Sequence, residues 1–193
     1  MSYQFIYSGP LLFKSSLSKE DCLALLKICN NNKKVKYNKN LAGVINEEYK
    51  IEDLEAVKII LNKYFDEIVI AVSNWYSFSP KQVILKSAWT NYMKAGEFNP
   101  PHIHSNCKFS SVFYLQVPEK ISKESKNFIS TGSKPGDINF LFCPPTPGYV
   151  GEHIHSPKSG DFFIFPSTLI HSVNPFKTKK IKRISMAINF DIE

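Results

Sequence analysis

The sequence lacks the marks of several protein classes. It has four cysteines among 193 residues, none in a C-x-x-C pair, and a chain of this size with ordinary core-forming residues needs no disulfide framework. We therefore expect Cys22, Cys29, Cys107 and Cys143 to be buried or unreactive thiols. No apolar run has the length of a membrane span, and the opening MSYQFIYSGP lacks the basic-then-apolar order of a signal peptide. A soluble, cytoplasmic protein with no membrane contact is the expectation.

Acidic residues are fewer than basic ones, 17 against 24, which gives a formal net charge of +7. This excess favours an anionic ligand or partner. Several lysines, however, lie in short clusters such as Lys33-Lys34 and Lys177-Thr178-Lys179-Lys180, which are typical of solvated loops. The chain also has no strip of interleaved aromatic and basic residues of the kind that binds single-stranded nucleic acid. Nucleic acid is therefore not the favoured partner.

The length and the hydrophobic fraction of 43% fit one domain with its own core. Ser18, with Asp21 three residues later, precedes CLALLKIC and predicts the capped start of a helix that ends near Asn30 to Asn32. Apolar residues at three- and four-residue steps predict a second helix from about Ile51 to Ser77. Residues 1–80 are thus expected to be mainly helical and to support a core formed by residues 81–193.

After Ser79-Pro80, short apolar and aromatic runs alternate with Gly, Pro, Asn and Ser, as strands alternate with turns. The predicted strands are Val83–Met93, Phe109–Val117, Ile138–Phe142, Asp161–Phe165 and Ile181–Phe190. Strands that follow helices in this way predict an α+β, mainly β domain whose strands close a sandwich or barrel. The Lys- and Ser-rich segment Glu119–Gly136 is predicted to be a long mobile loop.

All five histidines lie in the strand-rich half, at positions 102, 104, 153, 155 and 171. Side chains two residues apart in an extended segment point the same way, so His102 and His104 can converge on one ion. His171 follows a strand-like run and can supply a third imidazole, a ligand that suits iron, zinc and copper. His153 and His155 form a second pair with no evident third ligand, which favours a surface coincidence or a role beside the substrate.

The predicted last strand contains Arg183-Ile184-Ser185, which places a guanidinium and a hydroxyl on one face. A guanidinium offers a planar fork to a carboxylate, and a nearby hydroxyl adds a further hydrogen bond. The alternative is an ordinary surface arginine in a basic stretch. The spacing favours the first interpretation, because Arg183 lies twelve residues after His171 and the intervening Pro175 and lysines supply a turn between adjacent strands.

Four pieces in order, WTNYMKAGEFNPPHIH, SSVFYLQVP, SGDFFIFPSTLIHSVNP and RISMAINF, resemble the Fe(II)- and 2-oxoglutarate-dependent oxygenases over roughly Ser87 to Phe190. The likeness is greatest to a small branch of bacteria and phages that is related to prolyl hydroxylases. It implies a double-stranded β-helix, or jelly-roll, that uses Fe(II), 2-oxoglutarate and O2, with ascorbate as an additional candidate.

The resemblance also implies roles for individual residues. His102 and His171 would ligate iron, and Arg183 with Ser185 would hold the distal carboxylate of 2-oxoglutarate. Tyr92 and Tyr114 match tyrosines of the co-substrate pocket, although each could be a core aromatic. Asn91 and Asn189 are weaker candidates.

One position departs from the family pattern, since His104 stands where most members have a carboxylate ligand. Three neutral imidazoles leave the double charge of Fe(II) unreduced, and a 2-oxoglutarate dianion could neutralise it. We expect His104 to be a ligand. The alternatives are that His104 turns away and water or an anion takes its place, or that the protein has lost its chemistry.

The function that the resemblance implies is hydroxylation of a C–H bond with release of succinate and CO2. Its substrate would be a prolyl or other protein side chain, or else a free amino acid or another small molecule. Two rival classes stay open: a cupin-like three-histidine metalloprotein that does not use 2-oxoglutarate, and a catalytically silent jelly-roll interaction module. Zinc hydrolysis lacks an evident general base.

Overall fold

A computed structural model describes residues 9–76, 80–129, 131–142 and 150–193. In chain order the strands and helices are β1 (Phe13–Ser16), α1 (Lys19–Asn31), β2 (Glu48–Ile51), α2 (Leu54–Tyr76), β3 (Val83–Met93), β4 (Asn99–His102), β5 (Phe109–Gln116), α3 (Glu119–Lys126), β6 (Ile138–Leu141), β7 (Glu152–His155), β8 (Asp161–Pro166), β9 (Ile170–Val173) and β10 (Arg183–Ile192). A short 3-10 turn spans Asn38–Asn40. Within the described ranges, no helix combines the length and the apolar character needed to cross a membrane.

The strands form two antiparallel sheets. The larger sheet has the order β1-β8-β5-β10-β3-β2, and the smaller has the order β4-β9-β6-β7. Neighbours in the sheets are mostly distant in sequence, as in a jelly-roll, where the chain passes back and forth between two sheets. The expected mainly β jelly-roll with N-terminal supporting helices is confirmed.

Two cores lie on opposite faces of the larger sheet. On the outer face, α1 and α2 pack their apolar stripes against the sheet; the α2 stripe includes Val57, Leu61, Phe65 and Ile68, spaced as on one helical face. On the inner face, aromatic and aliphatic residues fill the space between the two sheets. The central strands are therefore covered on both sides.

The predicted secondary structure is largely confirmed, since α1, α2 and the five predicted strands are all present. Five short strands were not predicted: β1, β2, β4, β7 and β9. The prediction of a long loop over Glu119–Gly136 is wrong, because α3 occupies its first eight residues. Ile121 and Ser125 bury one face of α3, and the Glu124 carboxylate accepts hydrogen bonds from the backbone N–H groups of Lys177 and Thr178.

The start of α1 is stabilised by a cap, which gives a first testable prediction. The Ser18 hydroxyl accepts a hydrogen bond from the Asp21 backbone N–H at 3.1 Å, as the sequence predicted. Replacing Ser18 with alanine leaves that N–H unpaired, so we expect the free energy of unfolding to fall by about 1 kcal/mol. Urea unfolding measures this, with exposed Ser16→Ala as the control. A loss no larger than the control's would show that the cap contributes nothing.

Candidate metal and co-substrate site

Three of the five histidines meet at the inner face of the smaller sheet. His102 closes β4 and is the direct cross-strand partner of His171 on β9. His104 lies two residues beyond His102, where its backbone N–H donates to the Ser167 carbonyl oxygen at 2.8 Å. One ring nitrogen from each histidine lies within 4.8 Å of the other two. The sequence-predicted ligand set is therefore assembled at one point.

Each of these rings is held by a hydrogen bond from Nδ1. The acceptors are the Pro100 carbonyl oxygen for His102 at 2.7 Å, the Leu169 carbonyl oxygen for His171 at 2.9 Å, and Asn189 Oδ1 for His104 at 2.7 Å. A carbonyl or amide oxygen only accepts, so Nδ1 bears the proton in all three rings and Nε2 keeps its lone pair. Metal-binding histidines are commonly oriented in this way.

The imidazoles of His102, His104 and His171 are in their neutral form at neutral pH. Burial lowers the pKa of His104 to about 4 and that of His171 to about 3, and it lowers the pKa of His102 as well. Neutral imidazole is the form that binds a metal ion, so the cluster needs to lose no proton at neutral pH. In the part of the chain that the structure describes, no carboxylate belongs to this cluster.

The histidines line a cavity of about 430 Å³ between the two sheets. Alternate residues of β10 face this cavity, namely Arg183, Ser185, Ala187 and Asn189. Asn189 holds His104 at one end of the row, and Arg183 lies at the other end. The strand β10 thus connects the histidine cluster to Arg183, the predicted binding residue for a carboxylate.

Arg183 is a buried cation without an anion beside it. Its Nη1 donates to the Gly136 carbonyl oxygen at 2.9 Å, and its Nη2 lies 2.8 Å from Met93 Sδ, whereas Nε has no hydrogen-bond partner. Burial lowers the pKa of Arg183 from its usual value, yet a guanidinium keeps its charge at physiological pH. No acidic side chain of the described ranges forms an ion pair with it. A buried unpaired charge is costly, which indicates a place built for an anion.

Tyr114 and Ser185 accompany Arg183. The guanidinium lies 5.4 Å from the centre of the Tyr114 ring, and Ser185 is the cross-strand partner of Tyr114. The Tyr114 hydroxyl is buried without a hydrogen-bond partner, and burial raises its pKa to about 12. It therefore stays protonated and can donate. A guanidinium with two nearby hydroxyls matches what a carboxylate accepts.

Tyr92 is not brought to this site. It lies on the opposite face of β3, where its hydroxyl donates to Asn30 Oδ1 at 3.0 Å and its ring packs in the outer core. The residues of β3 that line the cavity are Ser87, Trp89 and Asn91, together with Lys86 before them. Alternation along the strand then turns Tyr92 toward the helices. Contrary to the expectation from the resemblance, Tyr92 lies outside the cavity.

His153 and His155 lie apart from the cluster, on the edge strand β7. The Nε2 atom of His155 is 2.8 Å from Asp161 Oδ2, and its ring packs against Phe163. Sequence reasoning gave less weight to Asn189 and did not include Glu48, Asn99 or Gly43, all of which line the cavity. The alternation of β10 could have found Asn189, because it shares a face with Arg183 and Ser185.

A protein-family model described as "Putative 2OG-Fe(II) oxygenase" matches residues 87–189, just over half of the chain. The chain belongs to this family. A comparison with curated proteins found no match. The family match covers the three histidines and Arg183, and it confirms the resemblance read from the sequence.

Solved structures of similar fold include several prolyl hydroxylases. A prolyl-4-hydroxylase of Pseudomonas putida aligns with 93% of this chain and 91% of its own at 16% identity, with a TM-score of 0.60. The viral collagen prolyl hydroxylase of Paramecium bursaria Chlorella virus-1, in a 2-oxoglutarate complex, aligns over 93% and 94% at 14% identity and a TM-score of 0.58. A Trichoplax adhaerens prolyl hydroxylase, in complex with a hypoxia-inducible-factor peptide fragment, aligns over 94% and 83% at 13% identity and a TM-score of 0.59. At these identities the likeness is one of fold.

Proposed function

We propose that this 2OG-Fe(II) oxygenase is a dioxygenase of the hydroxylase type, with His102, His104 and His171 as a three-histidine Fe(II) site. The observation that carries the proposal is Arg183, a buried cation that no described carboxylate pairs with, in the same cavity as three neutral imidazoles. A buried unpaired charge is costly, and an anionic co-substrate would offset that cost.

The residues present fit both groups. Three Nε2 lone pairs face one point, which leaves coordination positions for a chelating ligand and for oxygen. Arg183, Ser185 and Tyr114 would bind the distal carboxylate of 2-oxoglutarate, Arg183 through its unpartnered Nε and Tyr114 through its unpartnered hydroxyl. Together, Fe(II), 2-oxoglutarate and O2 supply oxidation of a C–H bond to an alcohol, with release of succinate and CO2.

The protein contributes orientation and exclusion of water. The carbonyl oxygens of Pro100 and Leu169 and the Asn189 amide fix the three rings, and Arg183 fixes the far end of the co-substrate. Phe140 and Phe165 pack against His171 and keep that side of the cluster apolar. Such a shield limits access of solvent to the reacting atoms.

The proposed substrate is a prolyl or other amino-acid group, free or within a protein. The prolyl hydroxylases among the similar folds support this class, and a cavity of about 430 Å³ suits one residue-sized group beside the co-substrate. The cupin-like alternative predicts that Arg183 is dispensable for activity. The silent-module alternative predicts no Fe(II) binding.

Anaerobic absorption spectroscopy tests the proposal. Purified protein with Fe(II) and 2-oxoglutarate is expected to show the visible charge-transfer band of the chelate, and admission of air should yield succinate. Omitting either Fe(II) or 2-oxoglutarate provides the control. If the complete mixture gives neither the band nor succinate, the chain is not an active oxygenase.

A further inference from the structure

A row of polar side chains crosses four strands of the larger sheet on the side that faces the cavity. Ser185 on β10 pairs with Tyr114 on β5 and with Asn91 on β3, and Asn91 pairs with Glu48 on β2. All four residues line the cavity. The first two belong to the proposed co-substrate site, whereas the row continues past it to the edge of the sheet.

Glu48, at the far end of this row, is a buried carboxyl that pairs with no cation in the part of the chain that the structure describes. Only 1% of the Glu48 surface is exposed, and the one hydrogen bond to its carboxyl group among the described residues is a long one of 3.4 Å from Asn38 Nδ2. Its neighbour Glu47 faces the other way and pairs with both Lys94 and Lys182. Those lysines lower the pKa of Glu47 to about 2, whereas burial, with the charge of Glu97, raises the pKa of Glu48 to about 8.

Two further acceptors lie beside Glu48 without partners. Asn91 Oδ1 and Asn99 Oδ1 are buried and accept no hydrogen bond. A Cβ at Gly43 would overlap Asn99 Oδ1 and would lie 3.0 Å from Glu48 Oε1. The Glu48 and Asn99 oxygens therefore face one open spot that only a glycine leaves free. Once Glu48 is ionised, its carboxylate and the two amide oxygens are three acceptor groups, and a ligand that satisfies them must bring the donors.

Glu48 lies apart from the anion site, and Asn91 lies between the two. Neighbouring strands lie about 4.8 Å apart, so β2 lies roughly 10 Å from β10, the strand of Arg183 and Ser185. A 2-oxoglutarate molecule held by Arg183 and Tyr114 would lie on the β10 and β5 side. The space between Glu48 and the histidines is left for the primary substrate.

We propose that Glu48, Asn91 and Asn99 bind an ammonium group of the primary substrate, which is therefore an amine such as a free amino acid. This inference rests on the proposed function. An ammonium offers three hydrogens to three acceptor groups, and its positive charge would hold Glu48 in the ionised form that burial alone disfavours. The internal prolyl residue of a peptide has no such group, so the inference favours a small amine over a protein substrate.

The test compares charged and neutral probes. Isothermal titration under argon, with Fe(II) and 2-oxoglutarate present, measures binding of the twenty free L-amino acids and of their N-acetyl amides. We expect at least one free amino acid to bind. If its α-amino group is its only amine, the matching N-acetyl amide should bind more weakly. Glu48→Gln keeps the shape but not the negative charge and should weaken that binding at least tenfold. Glu52→Gln, on an exposed residue just after β2, is the matched control and should change nothing.

The outcomes separate this inference from the proposed function. The charge-transfer band of the wild type reports the metal and the co-substrate, and its persistence in Glu48→Gln shows that the variant is folded. If the band is present but no free amino acid binds, if the amides bind as tightly, or if Glu48→Gln binds like the wild type, the ammonium site is overturned while the oxygenase stands. If the band is absent, the proposed function fails, and titration of the metal-free protein with the same probes decides the ammonium site alone.

Discussion

Replacing His104 with alanine is expected to weaken Fe(II) binding by at least about a hundredfold. The expectation follows from the hydrogen bond between His104 and Asn189, which leaves Nε2 of His104 free toward His102 and His171. Loss even of a residue that orients a ligand lowers metal affinity by about 10- to 100-fold, and loss of the ligand itself costs more. Competition with a fluorescent chelator under argon measures the change, with His153→Ala as a control histidine outside the cluster.

Two further variants test whether His104 is a metal ligand or only a neighbour of the metal site. Asn189→Ala should weaken Fe(II) binding by about 10- to 100-fold, because the His104 ring loses its anchor. His104→Asp introduces the carboxylate that the family resemblance implies, but it sets a carboxylate against Asn189 Oδ1, and the Asn189 amide could donate to it only by turning over and losing its hydrogen bond from Ser110. We expect it to bind Fe(II) with no succinate formation. Higher activity in His104→Asp, or an unchanged metal affinity in His104→Ala, would contradict a three-histidine centre.

Replacing Arg183 with methionine is expected to remove nearly all of the response to 2-oxoglutarate without destabilising the free protein. In the absence of an anion the guanidinium is a buried, unpaired charge, and replacing such a charge with an apolar side chain of similar volume is often neutral or stabilising. Binding of 2-oxoglutarate should fall at least about a hundredfold, on the order of 3 kcal/mol, because the carboxylate would lose its charged donor.

Thermal unfolding with and without 2-oxoglutarate measures both effects. Wild-type protein at a hundred times the dissociation constant should gain about 2.7 kcal/mol of stability, whereas Arg183→Met at the same concentration should gain at most about 0.4 kcal/mol and should lack the charge-transfer band. Lys182→Met removes the adjacent cation, which pairs with Glu47 outside the cavity, and should keep the ligand response. An Arg183→Met protein that retains both band and succinate formation would support the cupin-like alternative.

The sequence predicted the structure best where a feature depends only on residues close together in the chain. The cap at Ser18 and the apolar stripe of α2 depend on neighbours within a turn or two, and both are present. The His102 and His104 pair and the Arg183 and Ser185 pair each depend on the two-residue alternation of an extended chain, and the structure brings all four residues to one cavity. In contrast, β4 and β7 are four-residue strands with prolines or charged and polar residues, and they carry little strand signal.

The position of Tyr92 shows a second reason why the sequence could not predict the whole site. Residues 88–93 of β3 are all buried, because helices cover one face of the sheet and the smaller sheet covers the other. A strand buried on both sides has no alternation of apolar and polar residues, so its sequence does not reveal which residues face the cavity. Glu48 was missed for a related reason: its partners Asn91 and Asn99 are more than forty residues away, and only the strand pairing brings them together.

The two lysines on Glu47 have a consequence for the strand that bears Glu48. Strand β2 has only four residues and lies at the edge of the sheet, so few backbone hydrogen bonds define its alignment. A slip of one residue would exchange the two faces of the strand, bringing Glu47 into the cavity and stripping it of both lysines. The ion pairs of Glu47 with Lys94 and Lys182 therefore favour the observed register, in which Glu48 and not Glu47 faces the cavity.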